Sequence, residues 1–312
     1  MTSVGGLMTS IRGWSKAQKI SAGIVLAWLG GTIAIALAFG LKSQKNLNYL
    51  PQDEFKLFTW AHLFGPIDLN KAVLYLVLAG ALTVGAMVWI AKRMQMRPNR
   101  VQTAVEWAYG ICKRQITDDN MDADMARKWF PLIATLFFFI LVSNLLGYIP
   151  LPVNTNPLEE VHLFGATLPT FQLFAATTNI SFPLVLALIV YIAFNAEGVR
   201  AHGPFGYVKS LIPAGVGGGM LVLIFPIEIL SNVLRLLSLT IRLWANLLAG
   251  HMLIGFMSGG LAVLLGVKFL AWFLLPFGVV MFLFEAVLIA GLQAFIFAIL
   301  AAIYLGSAVS EH

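Results

Sequence analysis

The sequence predicts an all-α integral membrane protein. About six membrane helices are expected, including two long, tilted ones at the C-terminal end and an amphipathic helix on the membrane surface. Three observations carry that reading. Of 312 residues, 59% are apolar and 11% charged, and the mean hydropathy is +0.86; a soluble domain of this size carries about a quarter charged residues. The uncharged runs reach 20 residues and more, too long for barrel strands but right for membrane helices. Finally, Lys and Arg concentrate in particular loops, as membrane topology requires. A water-soluble fold is excluded on polar surface, and disorder on hydrophobicity.

The elements follow from where charges interrupt the chain. Lys19 and Lys42 enclose 22 uncharged residues, which predicts a first span over 20–41. Ala36-Leu37-Ala38 offers a small-x-small cleavage pattern, but a signal sequence has an apolar region of about 7–15 residues, so a retained anchor is favoured. Lys71 and Lys92 enclose 20 residues, giving a span over 72–91. Residues 100–118 repeat Val101, Ala104, Val105, Ala108, Ile111, Cys112 and Ile116 at helical spacing among polar neighbours. That predicts a helix lying on the inner surface. Spans over 129–149 and 176–196 follow, then 222–262 and 270–306. A crossing needs roughly 20 residues, so these last two must tilt, kink or run partly along the membrane plane. Gly259, Gly260 and Pro276 supply bend points, and Gly215-Val216-Gly217-Gly218-Gly219 reads as a hinge. Residues 1–71 form an N-terminal arm with an extra anchor, and 72–312 the membrane domain.

Orientation comes from the loops. Eight Lys or Arg residues lie in 92–128 and none in 150–175, which instead holds Glu159 and Glu160. The 92–128 and 197–212 loops are therefore inside and both termini face the cytoplasm (or matrix). The net charge of +6 is spread between apolar spans and does not predict nucleic-acid binding. The single Cys112 excludes an internal disulfide framework and cysteine metal sites. No phosphate loop, His-Glu-x-x-His or serine nucleophile motif is present, and no carboxylate cluster suggests a metal. No cofactor is expected.

Charges inside a membrane span are costly and mark candidate sites. Between Leu211 and Tyr304 these are Glu228, Arg235, Arg242, Lys268 and Glu285. Arg242 is the sharpest: a permanent cation in mid-span, tolerable only opposite a carboxylate or water. Arg235, Ser238, Ala245, Asn246 and Ala249 share its helix face, and the small residues admit a second helix closely. A carboxylate on another subunit is the favoured counter-ion over an internal pair. His251 points to the opposite face, and its chemistry suits proton relay or a hydrogen-bonded core role. Glu285 needs a partner, His251 being the obvious one. Gln293 is placed to bond Arg242 or water, and Asn144 and Asn179 are either channel lining or helix-packing glue.

Ser238-Leu239-Thr240-Ile241-Arg242-Leu243-Trp244-Ala245-Asn246-Leu247-Leu248-Ala249-Gly250-His251 resembles subunit a of rotary F-type ATP synthases. So do Leu292-Gln293-Ala294-Phe295-Ile296-Phe297 with Tyr304, Phe130-Pro131-Leu132 through Ser143-Asn144-Leu145-Leu146-Gly147, and Asn179-Ile180 with its apolar run. The resemblance spans roughly 72–306. It implies a stator that conducts protons through two offset half-channels against a ring of c subunits, held by the b subunit of a peripheral stalk. Arg242 would strip the proton from each ring carboxylate, supported by Asn246 and Gln293. His251 and Glu285 would line the outer half-channel, and Glu228 the inner one, with Ser231, Ser238 and Arg235 as companions. ATP would form elsewhere in the complex, in a bacterial plasma membrane or a mitochondrial inner membrane. Two features depart from the family pattern. The span over 20–41 is additional. Glu285 precedes Gln293 by eight residues where seven are expected, so either the helix carries a π-bulge or Glu285 is not the equivalent acid. The rival readings are a self-contained channel or secondary transporter, which predicts internal symmetry, and an intramembrane enzyme, which predicts a converging nucleophile or metal set.

Overall fold

The computed structural model describes residues 15–39, 55–57, 59–64, 67–154, 161–163, 166–168, 170–210 and 220–309. Six of its helical segments are long and apolar enough to cross a membrane. The glycine-rich hinge at 215–219 and the acids Glu159 and Glu160 lie outside the described residues.

Helix α1 (Lys16–Phe39) begins with a reciprocal cap. Gln18 N–H donates to Ser15 Oγ and Ser15 N–H to Gln18 Oε1, satisfying two donors that a helix start leaves free. It belongs to a compact unit that also takes residues 252–282. Trp28 Nε1 donates to the Trp272 carbonyl at 3.1 Å, and Trp272 Nε1 to the Trp28 carbonyl at 3.2 Å. Trp28 also stacks on Phe273. Gly31 allows this approach, since a Cβ there would lie 3.0 Å from the Trp272 indole nitrogen.

A second unit holds residues 55–251 and 283–312. Helix α2 (Lys71–Lys92) is capped by Asn70, whose side chain accepts from Val73 N–H. The surface helix follows as α3 (Arg100–Ile111), continuing into a π-helical segment over Cys112–Asp118. Ala108 and Ile111 are partly buried and Cys112 and Ile116 fully buried, whereas Val101 is exposed. Apolar burial thus concentrates toward the end of this helix and in the π segment, while Gln102 is the buried polar residue of its first half.

The core of the unit is α4 (Ala123–Gly147) against the last helix. Buried Ile133, Leu136, Phe137 and Ile140 meet an alanine-rich face formed by Ala294, Ala298, Ala301 and Ala302. Small side chains let two membrane helices approach closely where apolar burial against lipid gains little. Outward-facing residues such as Val185, Ile192 and Ile241 are large and apolar, as a lipid-facing surface requires.

Several boundaries differ from the sequence expectation, the first span running over Lys16–Phe39 rather than 20–41. The third span starts at Ala123 and stops at Gly147 rather than running over 129–149. The fourth is preceded by a 3-10 turn (Ala176–Thr178), and α5 runs over Ser181–Ser210. Asn179 sets that start, its Oδ1 accepting from Ser181 N–H at 3.0 Å. The inner loop expected at 197–212 is therefore helical through Ser210, with a kink at Gly203 (φ 72°, ψ 165°). Pro204 follows the kink and suits the first turn of the renewed helix. Finally, the last two long elements are interrupted. Helix α6 (Met220–Gly255) gives way to a π segment at Phe256–Gly260 and the short α7 (Leu261–Leu265), so the bend expected at Gly259 and Gly260 is present. Helix α8 (Lys268–Phe284) runs through Pro276 without interruption and breaks instead at a π segment, Glu285–Ile289, before α9 (Ala290–Ser307). Short antiparallel ladders in the segments outside the spans, Ala61–Phe64 with Ile67–Leu69 and two between 151 and 172, add a little strand to the helical plan.

The buried Glu197 carboxylate pairs with Lys128 Nζ from α4 and lies 3.6 Å from Arg200 Nη1. A buried acid is tolerated only with such partners.

Candidate functional site

Helix α6 carries two contrasting faces. Leu239, Leu243 and Leu247 are buried, and Trp244 Nε1 donates to the Thr178 carbonyl at 3.0 Å. That fixes the rotation of the helix. The other face presents Ser238, Arg242, Asn246 and Ala249 outward, all exposed. Among the described residues, the hydrogen bond of Arg242 runs from Nη2 to Ser238 Oγ at 3.4 Å. Among the described residues no carboxylate pairs with Arg242. A guanidinium in an apolar span is costly unless it meets a carboxylate or water.

His251, nine residues on, faces inward and is buried. Its Nδ1 lies 3.0 Å from the Leu247 carbonyl and its Nε2 3.4 Å from the Gly147 carbonyl. A neutral ring donates to one of these acceptors, a protonated ring to both. Glu285 is buried beside it, but its hydrogen-bond partner is Tyr148, whose hydroxyl donates to Oε2 at 2.9 Å. The Tyr148 ring also packs on His251, with centroids 4.9 Å apart. The pairing expected between His251 and Glu285 is thus made through Tyr148. Gly250 faces the Glu285 carboxylate so closely that a methyl group there would overlap it.

Glu285 opens the π-helical segment. A π-bulge adds one residue to a helical turn, which absorbs the eight-residue spacing to Gln293. The π-bulge offered as one explanation of that spacing is present. Gln293 itself is buried (4% exposed) and does not bond Arg242; among the described residues its amide makes no hydrogen bond. Asn144 is fully buried in the same region. Its Nδ2 donates to the Ala290 carbonyl at 3.3 Å and its Oδ1 accepts from Thr177 Oγ1 at 3.1 Å, so it also ties the start of α9 to α4.

Toward the other end of α6, Glu228 and Ser231 are half-buried. Arg235 lies over the Tyr304 ring at 5.5 Å. Beside it, Asn232 is buried, its Nδ2 donating to Asn195 Oδ1 at 3.1 Å, and Tyr207 donates to the same oxygen at 2.8 Å. Asn232 Oδ1 is buried without a hydrogen-bond partner among the described residues. Sequence reasoning missed Tyr148, Asn195, Tyr207 and Asn232. The available signal for Tyr148 was its place one turn after Asn144, at the end of an apolar span. Among the described residues no group of His, Cys, Asp and Glu is arranged to hold a metal.

Residues 73–306 match the family model described as ATP synthase A chain. The chain is 34% identical over 270 residues to the ATP synthase subunit a of Nocardioides sp., covering 83% of this chain and 88% of that one. It is 32% identical over 265 residues to the subunit of the same name from Rhizobium rhizogenes, covering 83% and 96%. Over 277 residues it is 30% identical to that of Acidiphilium cryptum, covering 87% of this chain and all of the relative.

Proposed function

The chain belongs to the ATP synthase A chain family, and from that premise we propose that it is the Fo stator that routes protons through its two half-channels by way of a ring of c subunits. The observation that carries the assignment of roles is Arg242. It stands outward on α6, and among the described residues no carboxylate lies beside it, which favours a ring carboxylate as its counter-ion. The exposed small residue Ala249 and Ser238 on the same face leave room for a passing helix.

Arg242 acts as a fixed positive barrier. A proton cannot pass it in the membrane plane, and a ring carboxylate arriving opposite it is held ionised. The proton must then leave the ring on one side of Arg242 and enter on the other, so translocation and rotation are coupled. Each proton driven across gains about 2.3 kcal/mol per 100 mV. Asn246 flanks the barrier on the same exposed face. His251 and Glu285 serve the outer path, with the unpaired, buried Gln293 amide suited to hold water between them and the ring. Glu228, Ser231 and Arg235 serve the inner path, joined by the buried, unpartnered oxygen of Asn232. Asn144 and Asn179 act as packing and capping groups at the edge of the outer path. The subunit makes and breaks no covalent bonds; ATP is formed elsewhere in the complex.

A self-contained transporter would need an acid within the chain to answer Arg242, and none of the described acids does. The reciprocal Trp28–Trp272 bonds support retention of α1 as a membrane anchor. The basic inner segments support a cytoplasmic position for both termini in a bacterial plasma membrane, with the b subunit of the peripheral stalk as the second partner. Replacing Arg242 by alanine in the assembled complex tests the reading: ATP-driven proton pumping is expected to vanish while ATP hydrolysis persists.

A further inference from the structure

We propose that Tyr148 is a positioning residue of the outer proton path, holding Glu285 and His251 in register with each other. The inference rests on the stator reading above and adds a residue to it. Tyr148 follows the last residue of α4 and is itself buried (5% exposed). Its side chain meets both titratable groups at once. The hydroxyl donates to Glu285 Oε2 at 2.9 Å, and the ring lies on the His251 imidazole at 4.9 Å and an interplanar angle of 31°.

Three different elements converge here. Tyr148 comes from the end of α4, His251 from α6, and Glu285 from the π segment before α9. These three are the titratable groups that meet in the cluster among the described residues. His251 is further anchored to the Leu247 and Gly147 carbonyls. Glu285 has its one hydrogen bond among the described residues from Tyr148. Gly250 leaves the room that the Glu285 carboxylate occupies, but no other hydrogen bond among the described residues orients it where the helix leaves its regular path. A carboxylate that takes a proton and passes it on works only if its oxygens return to the same place each cycle. The hydroxyl supplies that constraint for one oxygen and leaves the other to exchange protons. The ring does the same for the imidazole plane, so one side chain sets the separation of the two groups.

The test uses the complete complex in inverted membrane vesicles, with pumping normalised to assembled complex. Tyr148→Phe keeps the ring on His251 and removes only the donor to Glu285. ATP-driven pumping is expected to fall about tenfold, the pH dependence of the remaining rate to be displaced, and assembly and ATP hydrolysis to be retained. Tyr148→Leu removes the ring as well and is expected to pump more slowly than Tyr148→Phe. A Phe variant that pumps at the native rate with the native pH profile overturns the proposal. So does a loss confined to the amount of assembled complex, with the rate per complex and the pH profile unchanged, since that is a packing role alone. Arg242→Ala is run in parallel. If it pumps normally, the stator reading itself fails; if it is inactive and Tyr148→Phe behaves as native, only the role of Tyr148 is lost.

Discussion

Gly250 offers a test of the outer path that does not touch a titratable group. It precedes His251 on α6, and a Cβ built there would overlap both oxygens and the carboxyl carbon of Glu285. Ordinary contact between such atoms is about 3.5 Å, so Gly250→Ala forces the carboxylate back by more than about 1 Å. The Tyr148–Glu285 hydrogen bond is 2.9 Å long, and a shift of that size takes it beyond the roughly 3.2 Å at which such bonds hold. Losing it costs about 1–3 kcal/mol, equivalent to roughly a 5- to 150-fold slower rate for any step that requires the arrangement. Quenching of a pH-sensitive dye during ATP-driven pumping, normalised to assembled complex, reads that rate. Glu285→Asp added to Gly250→Ala withdraws the acid by one methylene and is expected to recover part of the loss. Pumping by Gly250→Ala within twofold of native would refute the reasoning, because the overlap would then have been relieved at no functional cost.

Two further outcomes are expected elsewhere in the chain. Burial pushes the Cys112 thiol up to about 12, so near pH 8 only about one thiol in ten thousand is the reactive thiolate. Maleimide labelling followed by mass spectrometry is expected to find it unmodified in the folded protein, with labelling rising as pH climbs through that value or when the protein is unfolded; rapid labelling of folded protein at pH 8 would contradict its burial. Gly203 sits at φ 72°, ψ 165° with open space where a Cβ would be, so Gly203→Ala meets backbone strain alone, about 1–3 kcal/mol. Thermal inactivation of the solubilised complex should occur several degrees lower, whereas an unchanged midpoint would show that the kink is not held.

The parts legible in the sequence were those fixed by scarcity. In an apolar chain each charge is conspicuous, so the spans, the basic segments between them and the mid-span position of Arg242 follow from counting uncharged residues between Lys and Glu. The exposed face shared by Arg242, Ser238, Asn246 and Ala249 follows from 3.6 residues per turn. Helix interruptions were less legible. The π segment at Glu285 left a trace as one surplus residue before Gln293, but spacing alone does not separate a bulge from a displaced acid. Pro276 looked like the breaker of the last span, yet a proline within a membrane helix is accommodated when neighbours take up the freed carbonyl. Ser181–Ser210 outran its apolar run because helix continues wherever polar side chains leave the membrane. Tyr148 was illegible for a different reason. A tyrosine at a span end is ordinary at the membrane interface, and only the convergence of three distant segments gives its hydroxyl a carboxylate to hold. Asn195, Tyr207 and Asn232 share that character, being joined across α5 and α6.

In the proposed stator role, Arg242, outward on α6, couples proton passage to a moving partner. Measuring ATP-driven pumping and ATP hydrolysis together in vesicles carrying Arg242→Ala tests it most directly. Pumping abolished with the complex still assembled and hydrolysing ATP is the predicted result. Coupled pumping at the native rate without the guanidinium would contradict the account.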